Sequence, residues 1–134
     1  MSKSNTFEND LLLLIFNNTD IANIGDAGGL QNSAAAGDLY VALHTADPGE
    51  AGTAATSEAT YGSYDRVAVA RSGAGWTVAG NSATNAALVQ FPECTSGSET
   101  ITHVSITVGG TPTTADKILY SGALSASRSV SSGI

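Results

Sequence analysis

The stretch from residue 37 to residue 71 constrains the fold most, because it holds two strand-like segments joined by a turn-rich loop. In both segments, residues 39–45 and 66–71, apolar side chains recur with the two-residue period of a pleated strand. Two strands this apolar do not stay folded alone in water, so the remaining chain is expected to supply a covering sheet. The apolar faces of the two segments hold Leu39, Val41, Leu43, Val67 and Val69.

Strand-like segments continue along the rest of the chain. Five more follow, at residues 75–79, 85–91, 101–108, 117–121 and 123–130. Seven short strands separated by turns, with one helix pattern before them, predict a mainly β fold, an antiparallel β-sandwich or a jelly-roll-like barrel. The predicted core consists of Leu39, Val41, Leu43, Val67, Val69, Trp76, Val89, Phe91, Val104, Ile106 and Leu119.

An amphipathic pattern over residues 5–16 predicts a short N-terminal helix. Asn5 is the expected N-cap, with Glu8 three residues later in a capping-box arrangement. Two interpretations of the helix stay open: it packs on its own domain, or it is an arm that binds a neighbouring subunit. We therefore divide the chain into a helix with its connecting arm, residues 1–36, and a β-sandwich domain, residues 37–134. The candidate partner-binding residues are Phe7, Leu11, Leu14 and Ile15, which share one stripe at helical spacing.

The charge balance argues against two classes of partner. Twelve acidic residues against five basic ones give a net charge of −7, whereas nucleic-acid binding requires clustered Lys and Arg. The apolar run at residues 11–16 is far too short to span a bilayer. We therefore expect neither a nucleic-acid partner nor a membrane association.

Candidate chemical groups are few and are not arranged in known motifs. His44 and His103, with Asp47 or Glu50, are possible metal ligands, but no H-x-x-x-H or C-x-x-C spacing supports a site. Asp47, Glu50 and Glu58 lack the alternating register of a calcium-binding loop. Cys94 follows an acidic residue, which disfavours a thiolate, and is expected to be a buried or turn residue. We predict no catalytic residue, no metal and no cofactor, and hence no enzyme.

Four blocks of sequence carry a resemblance to a known family. They are LYVALHTADPGEAG at residues 39–52, TSEATYGSYDRVAVAR at 56–71, GWTV at 75–78 and VQFPECTSGSETITHVSI at 89–106. In this order they resemble a family of small virion structural proteins of tailed bacteriophages, over residues 36–134. The resemblance implies a non-enzymatic virion component and carries over no catalytic residues. The helix at residues 5–16 lies outside the similar part.

Two roles are compatible with that resemblance. The first is a capsid decoration, or cement, protein that stabilises the head, with the major capsid protein and copies of itself as partners. The alternative is a tail-attached fibre or adaptor component that contacts tail proteins and the host surface. Because the chain lacks repeats and the heptads of a coiled coil, and carries an apolar N-terminal segment, decoration is the preferred prediction. The expected location is the virion, on the capsid exterior, after synthesis in the host cytoplasm.

Overall fold

A computed structural model describes residues 1–134 and contains one helix and six strands. The mainly β fold class with a short N-terminal helix is confirmed. In chain order the elements are α1 (Asn5–Asn17), β1 (Asp38–His44), β2 (Val67–Ala70), β3 (Trp76–Ala79), β4 (Ser82–Asn85), β5 (Ser98–Thr107) and β6 (Ile118–Ser131).

The strands form two antiparallel sheets. One has four strands in the order β2-β1-β5-β6, and the other is the β3–β4 hairpin. β1 and β5 pair in a register that places Tyr40 opposite Thr107 and His44 opposite His103. β5 then pairs with β6 from Ser98–Ser131 to Thr107–Ile118, with two irregularities on the way. The long strand β6 therefore lies at one edge of its sheet.

The chain divides into two compact units that are each discontinuous in sequence. The first unit combines residues 1–38 with residues 69–88, and so holds α1 and the β3–β4 hairpin. The second combines residues 39–68 with residues 89–134, and holds β5, β6 and all of β1 except its first residue. The division of the chain at residues 36 and 37 stays a prediction.

Two strand predictions are wrong. The predicted strand at 85–91 is absent; its place in the hairpin is taken by β4, which ends at Asn85. Gly80, with φ of 59°, and the residue after it form a two-residue turn, so the return strand starts at once and matches the four residues of β3. The predicted strands at 117–121 and 123–130 are one strand, because Gly122 remains extended within β6.

The core differs from its prediction because both sides of the β1–β5 pair are buried, whereas the predicted core used one side. Of the predicted core, Leu39, Val41, Val69 and Trp76 are buried. The others are only half-buried: Leu43, Val67, Val89, Phe91, Val104, Ile106 and Leu119. The opposite side of β1 and β5 is the more deeply buried one, with Ala42, His44, Ser105 and Thr107 almost inaccessible. The reason is that the loop after β1 lies against that side, where the carbonyl of its residue Thr56 is 2.9 Å from His44 Nδ1.

Candidate functional site

Helix α1, which carries the predicted partner-binding residues, is defined by caps at both ends. Its N-cap is Ser4, whose Oγ accepts a hydrogen bond of 3.2 Å from the Phe7 N–H. The prediction of Asn5 as the cap is therefore wrong by one residue, because Ser4 has the extended backbone that a cap requires and Asn5 is already helical. At the other end Asn18 adopts a left-handed conformation and its N–H donates to the Leu13 carbonyl.

The C-terminal half of α1 packs within its own unit, on the β3–β4 hairpin. Phe16 is 3% exposed, and its ring centre lies 4.9 Å from that of Trp76 at an interplanar angle of 59°. The Arg71 guanidinium donates hydrogen bonds to the carbonyls of Leu14 and Ile15. A cation here satisfies carbonyls that have no partner in the helix and stabilises its negative end. The end of the helix is thus fixed on this unit.

The predicted stripe is not buried by these contacts. Phe7, Leu11, Leu14 and Ile15 all lie on α1 and all are half-buried. Residues 11–16 are apolar without interruption, and successive residues lie about 100° apart around a helix, so this run covers its whole circumference. A helix that is apolar on every side is normally covered on every side. The hairpin covers one side of the helix, and part of the apolar surface of residues 11–15 stays accessible.

A buried ion-pair cluster centred on Arg66 is the densest polar feature of the second unit. The Arg66 Nε donates to Glu58 Oε1 at 2.7 Å and Nη2 donates to Glu58 Oε2 at 3.0 Å. Nη1 donates to Asp116 Oδ2 at 2.7 Å and to the Gly109 carbonyl at 2.8 Å, while Nη2 also reaches the Thr114 carbonyl. The Arg66 side chain is fully buried. One guanidinium therefore joins the loop after β1 to the connection between β5 and β6.

The Glu58 carboxylate is saturated by further donors. The Tyr64 hydroxyl donates to Oε1 at 3.1 Å, and the Thr113 N–H donates to Oε2 at 2.8 Å. Hydrogen bonding to Glu58 raises the pKa of Arg66, and burial raises the pKa of Tyr64, so the guanidinium stays charged and the phenol neutral. The Arg66 guanidinium and the Glu58 carboxylate are thus engaged in structural contacts. The roles of Arg66 and Asp116 were not predictable from the sequence, because no motif or spacing marks them.

His44 and Ser105 form a second buried polar pair. His44 is 0% exposed and Ser105 is 1% exposed. Nδ1 of His44 lies 2.9 Å from the Thr56 carbonyl, which can only accept, so this nitrogen carries the proton. Nε2 then accepts from the Ser105 hydroxyl at 2.8 Å. A serine and a histidine in contact resemble a nucleophile and its base, but burial closes this pair to any substrate.

We expect the His44 environment to make stability fall in mild acid. Burial lowers the pKa of His44 below its usual 6.5, so below that pH the unfolded chain takes up a proton that the folded chain refuses. The contribution of neutral His44 to the free energy of unfolding is fully present above about pH 6.5. It decreases by at most ~1.4 kcal/mol per pH unit as the pH falls towards the pKa of His44 in the folded chain. The charges of Glu58, Arg66 and His103 act on the same ring as smaller influences. Glu58 and Arg66 are unchanged in every variant below, and His103 is replaced only in the control.

Urea denaturation at pH 7.5 and 5.5 measures this effect. The drop in the free energy of unfolding between the two pH values should shrink in His44→Gln and persist in His103→Gln. Equal drops in wild type and His44→Gln would show that another group is responsible.

The candidate metal ligands do not converge on a site. His44 and His103 stand opposite each other on β1 and β5, although they are far apart in sequence. Both ring nitrogens of His44 are engaged, and His103 Nδ1 lies 2.8 Å from the Thr102 hydroxyl. Asp47 accepts from the Gly49 N–H, and the structure contains no group of three or more His, Cys, Asp or Glu side chains that could hold a metal ion. Cys94 is buried, as predicted.

The second unit also contains an apolar cleft of about 350 Å³. Tyr61, Phe91, Pro92 and Val130 contribute to its wall, and Gln90 and Glu93 are its polar side chains. The Tyr61 hydroxyl donates to the Pro92 carbonyl at 3.0 Å, so it is already engaged. No Ser, Thr, Cys, His, Lys or Arg lines the cleft, and it therefore lacks a nucleophile–base pair.

Comparison with protein families identifies the chain. Residues 2–133 match the model described as podophage GP4 fiber I protein gp80. The chain belongs to this family. The match takes in α1 and all six strands, so the podophage fiber family includes the helix that the sequence resemblance left outside. Among curated proteins, none gives a significant match.

Membership of the podophage fiber family makes the chain a phage virion structural protein. The resemblance to virion structural proteins of tailed phages is confirmed. The family supports the tail-fibre alternative better than capsid decoration, which stays unconfirmed. No helix in the structure has the length and apolar character needed to cross a membrane.

Proposed function

We propose that the chain is a structural subunit of a podophage tail-fibre assembly that works by contact with other virion proteins and not by catalysis. The observation that carries the proposal is the family match over residues 2–133. The internal chemistry of the second unit supports it, because Arg66, Glu58 and His44 are all committed to buried structural contacts. Both the family match and the buried contacts of these residues therefore support a non-catalytic role.

We further propose that α1 attaches the chain to a neighbouring tail protein. Phe7, Leu11, Leu14 and Ile15 are half-buried on a helix whose apolar run surrounds its axis. Burying a fully exposed side chain of this kind yields roughly 1.5–3 kcal/mol before the costs of ordering are subtracted. Covering these half-buried ones yields a fraction of that for each. Contacts of this size, repeated over the copies in a virion, add through multivalency. Binding to the major capsid protein, the partner predicted from the sequence, is the competing outcome of the test.

The attachment test uses substitutions within the helix, because deleting it would remove Phe16 from Trp76 and the carbonyls that Arg71 binds. We expect the double variant Leu11→Gln/Leu14→Gln to bind tails at least about tenfold more weakly than wild type, since a tenfold change needs only about 1.4 kcal/mol. Glutamine preserves helix propensity, so the helix itself should persist. Binding is measured by co-sedimentation with tails isolated from particles that lack this chain.

The matched control is Leu88→Gln, which replaces a leucine that is 83% exposed and lies outside the helix. This variant should bind tails as wild type does. Equal binding by the helix variant would remove α1 from the interface. Binding of wild type to isolated heads, without binding to tails, would move the protein to the decoration role.

A further inference from the structure

The two edges of the four-stranded sheet are built differently. β2, at one edge, has only four residues. A short edge strand is one of the usual means by which proteins prevent an edge from pairing with another chain. β6, at the opposite edge, has fourteen residues. Its outer row of backbone N–H and C=O groups faces no strand of this chain.

The amino-acid composition of β6 does little to prevent its edge from pairing with another strand. The strand has no proline, and Arg128 is its only charged residue. None of the twelve acidic residues lies beyond Asp116, so the strand is free of negative charge in a chain with a net charge of −7. Most of its side chains are exposed Ser and Ala. Two copies could therefore meet along this edge without bringing acidic side chains of the strand together.

Gly122 is a second, independent sign that another backbone approaches β6. Glycine in the interior of a strand weakens it, and commonly marks a bulge or the close approach of another chain. Gly122 pairs in register with Val104 and has no positive φ, so its backbone does not require glycine. A Cβ placed on it would meet nothing within 4 Å, so packing within this chain does not require glycine either.

The register of β6 selects the stretch that can pair. Its ladder with β5 is irregular between Ile101 and His103 and again between Ile106 and Thr107. Two regular stretches of β6 remain, residues 120–123 and 128–131. A twofold axis through the second would bring Arg128 close to its own copy, which costs free energy. A twofold axis near Gly122 sets Ser121 opposite Ala123 and Tyr120 opposite Leu124, so no charged side chains meet there.

We propose that the outer edge of β6 pairs antiparallel with the same strand of a second copy, about a twofold axis near Gly122. An antiparallel pair of identical strands is self-complementary, as a twofold interface requires. It joins two four-stranded sheets into one of eight strands and gives partners to the edge backbone groups. The pairing requires no other virion protein, so its test is independent of the proposed location in the tail.

The test introduces a positive or a negative charge at Ser121, an exposed residue beside the axis. Sedimentation equilibrium of the full-length chain is measured for wild type, Ser121→Lys and Ser121→Glu. Wild type should dimerise reversibly. Each variant should dimerise about tenfold or more weakly, because like charges meet at the axis. An equimolar mixture of the two variants should recover dimers, because opposite charges then face each other.

The matched control is Ser82→Lys, which places the same charge on an exposed serine of β4 and should leave dimerisation unchanged. Circular dichroism of each variant checks that it is folded, and recovery in the mixture could not occur with unfolded chains. A monomeric wild type, a trimer, or variants that associate as wild type does would each overturn the proposal. Failure of the mixture to recover dimers would also overturn it.

Discussion

Replacing Arg66 with alanine is expected to lower the free energy of unfolding by about 3–5 kcal/mol, the usual cost of removing one partner from a buried ion pair. The loss is large because Glu58 would stay buried without its counter-charge. The carbonyls of Gly109 and Thr114 would lose their donor as well. Since a domain is typically stable by only about 5–15 kcal/mol, this one side chain accounts for a large part of the free energy of unfolding.

Urea denaturation at pH 7.5 measures the effect of Arg66→Ala. The matched control is Arg128→Ala, which removes an exposed arginine and should change stability by no more than about 0.5 kcal/mol. Equal stabilities for the two variants would mean that the ion-pair cluster contributes nothing net to the fold.

Val41→Asp is expected to prevent folding of the sheet. Val41 is 7% exposed and stands opposite Ile106 in the central pair of strands. An aspartate there would lose its hydration without gaining a partner, which places it among the substitutions that cost more than about 4 kcal/mol. The expected result is the loss of cooperative thermal unfolding in circular dichroism.

The matched control for Val41→Asp introduces the same charge at an exposed leucine. Leu88→Asp should melt close to wild type, because residue 88 is 83% exposed. A normal melting midpoint for Val41→Asp would show that this side of β1 is not part of the core.

Strand positions were predictable where apolar and polar residues alternate strongly. The more deeply buried side of the sheet was not predictable. The two-residue period located β1, β2 and β3 to within one or two residues, because the pleat imposes that period directly. The same pattern indicates which side chains share a face, but not what covers it. In the structure the loop after β1 covers His44 and Ser105, so the more polar face is deeply buried while Val104 and Ile106 are half-exposed.

The ion-pair cluster could not be predicted from local sequence patterns, for a different reason. Arg66 joins acidic and carbonyl groups from 8 to 50 residues away, most of them in loops that have no periodicity. Helix α1 shows the opposite case, since its position follows from helical spacing and a nearby cap. The proposed contact of α1 with a neighbouring tail protein is different, because no local signal in a single chain marks which partner covers a helix.

Electron cryomicroscopy of the intact virion tests the central claim, that the chain is a tail-fibre component, most directly. The reconstruction is searched for density that fits each of the two compact units separately. We predict that both units fit density attached to the tail, with α1 against a neighbouring tail protein. Density for the chain arrayed over the capsid lattice, with none on the tail, would contradict the claim.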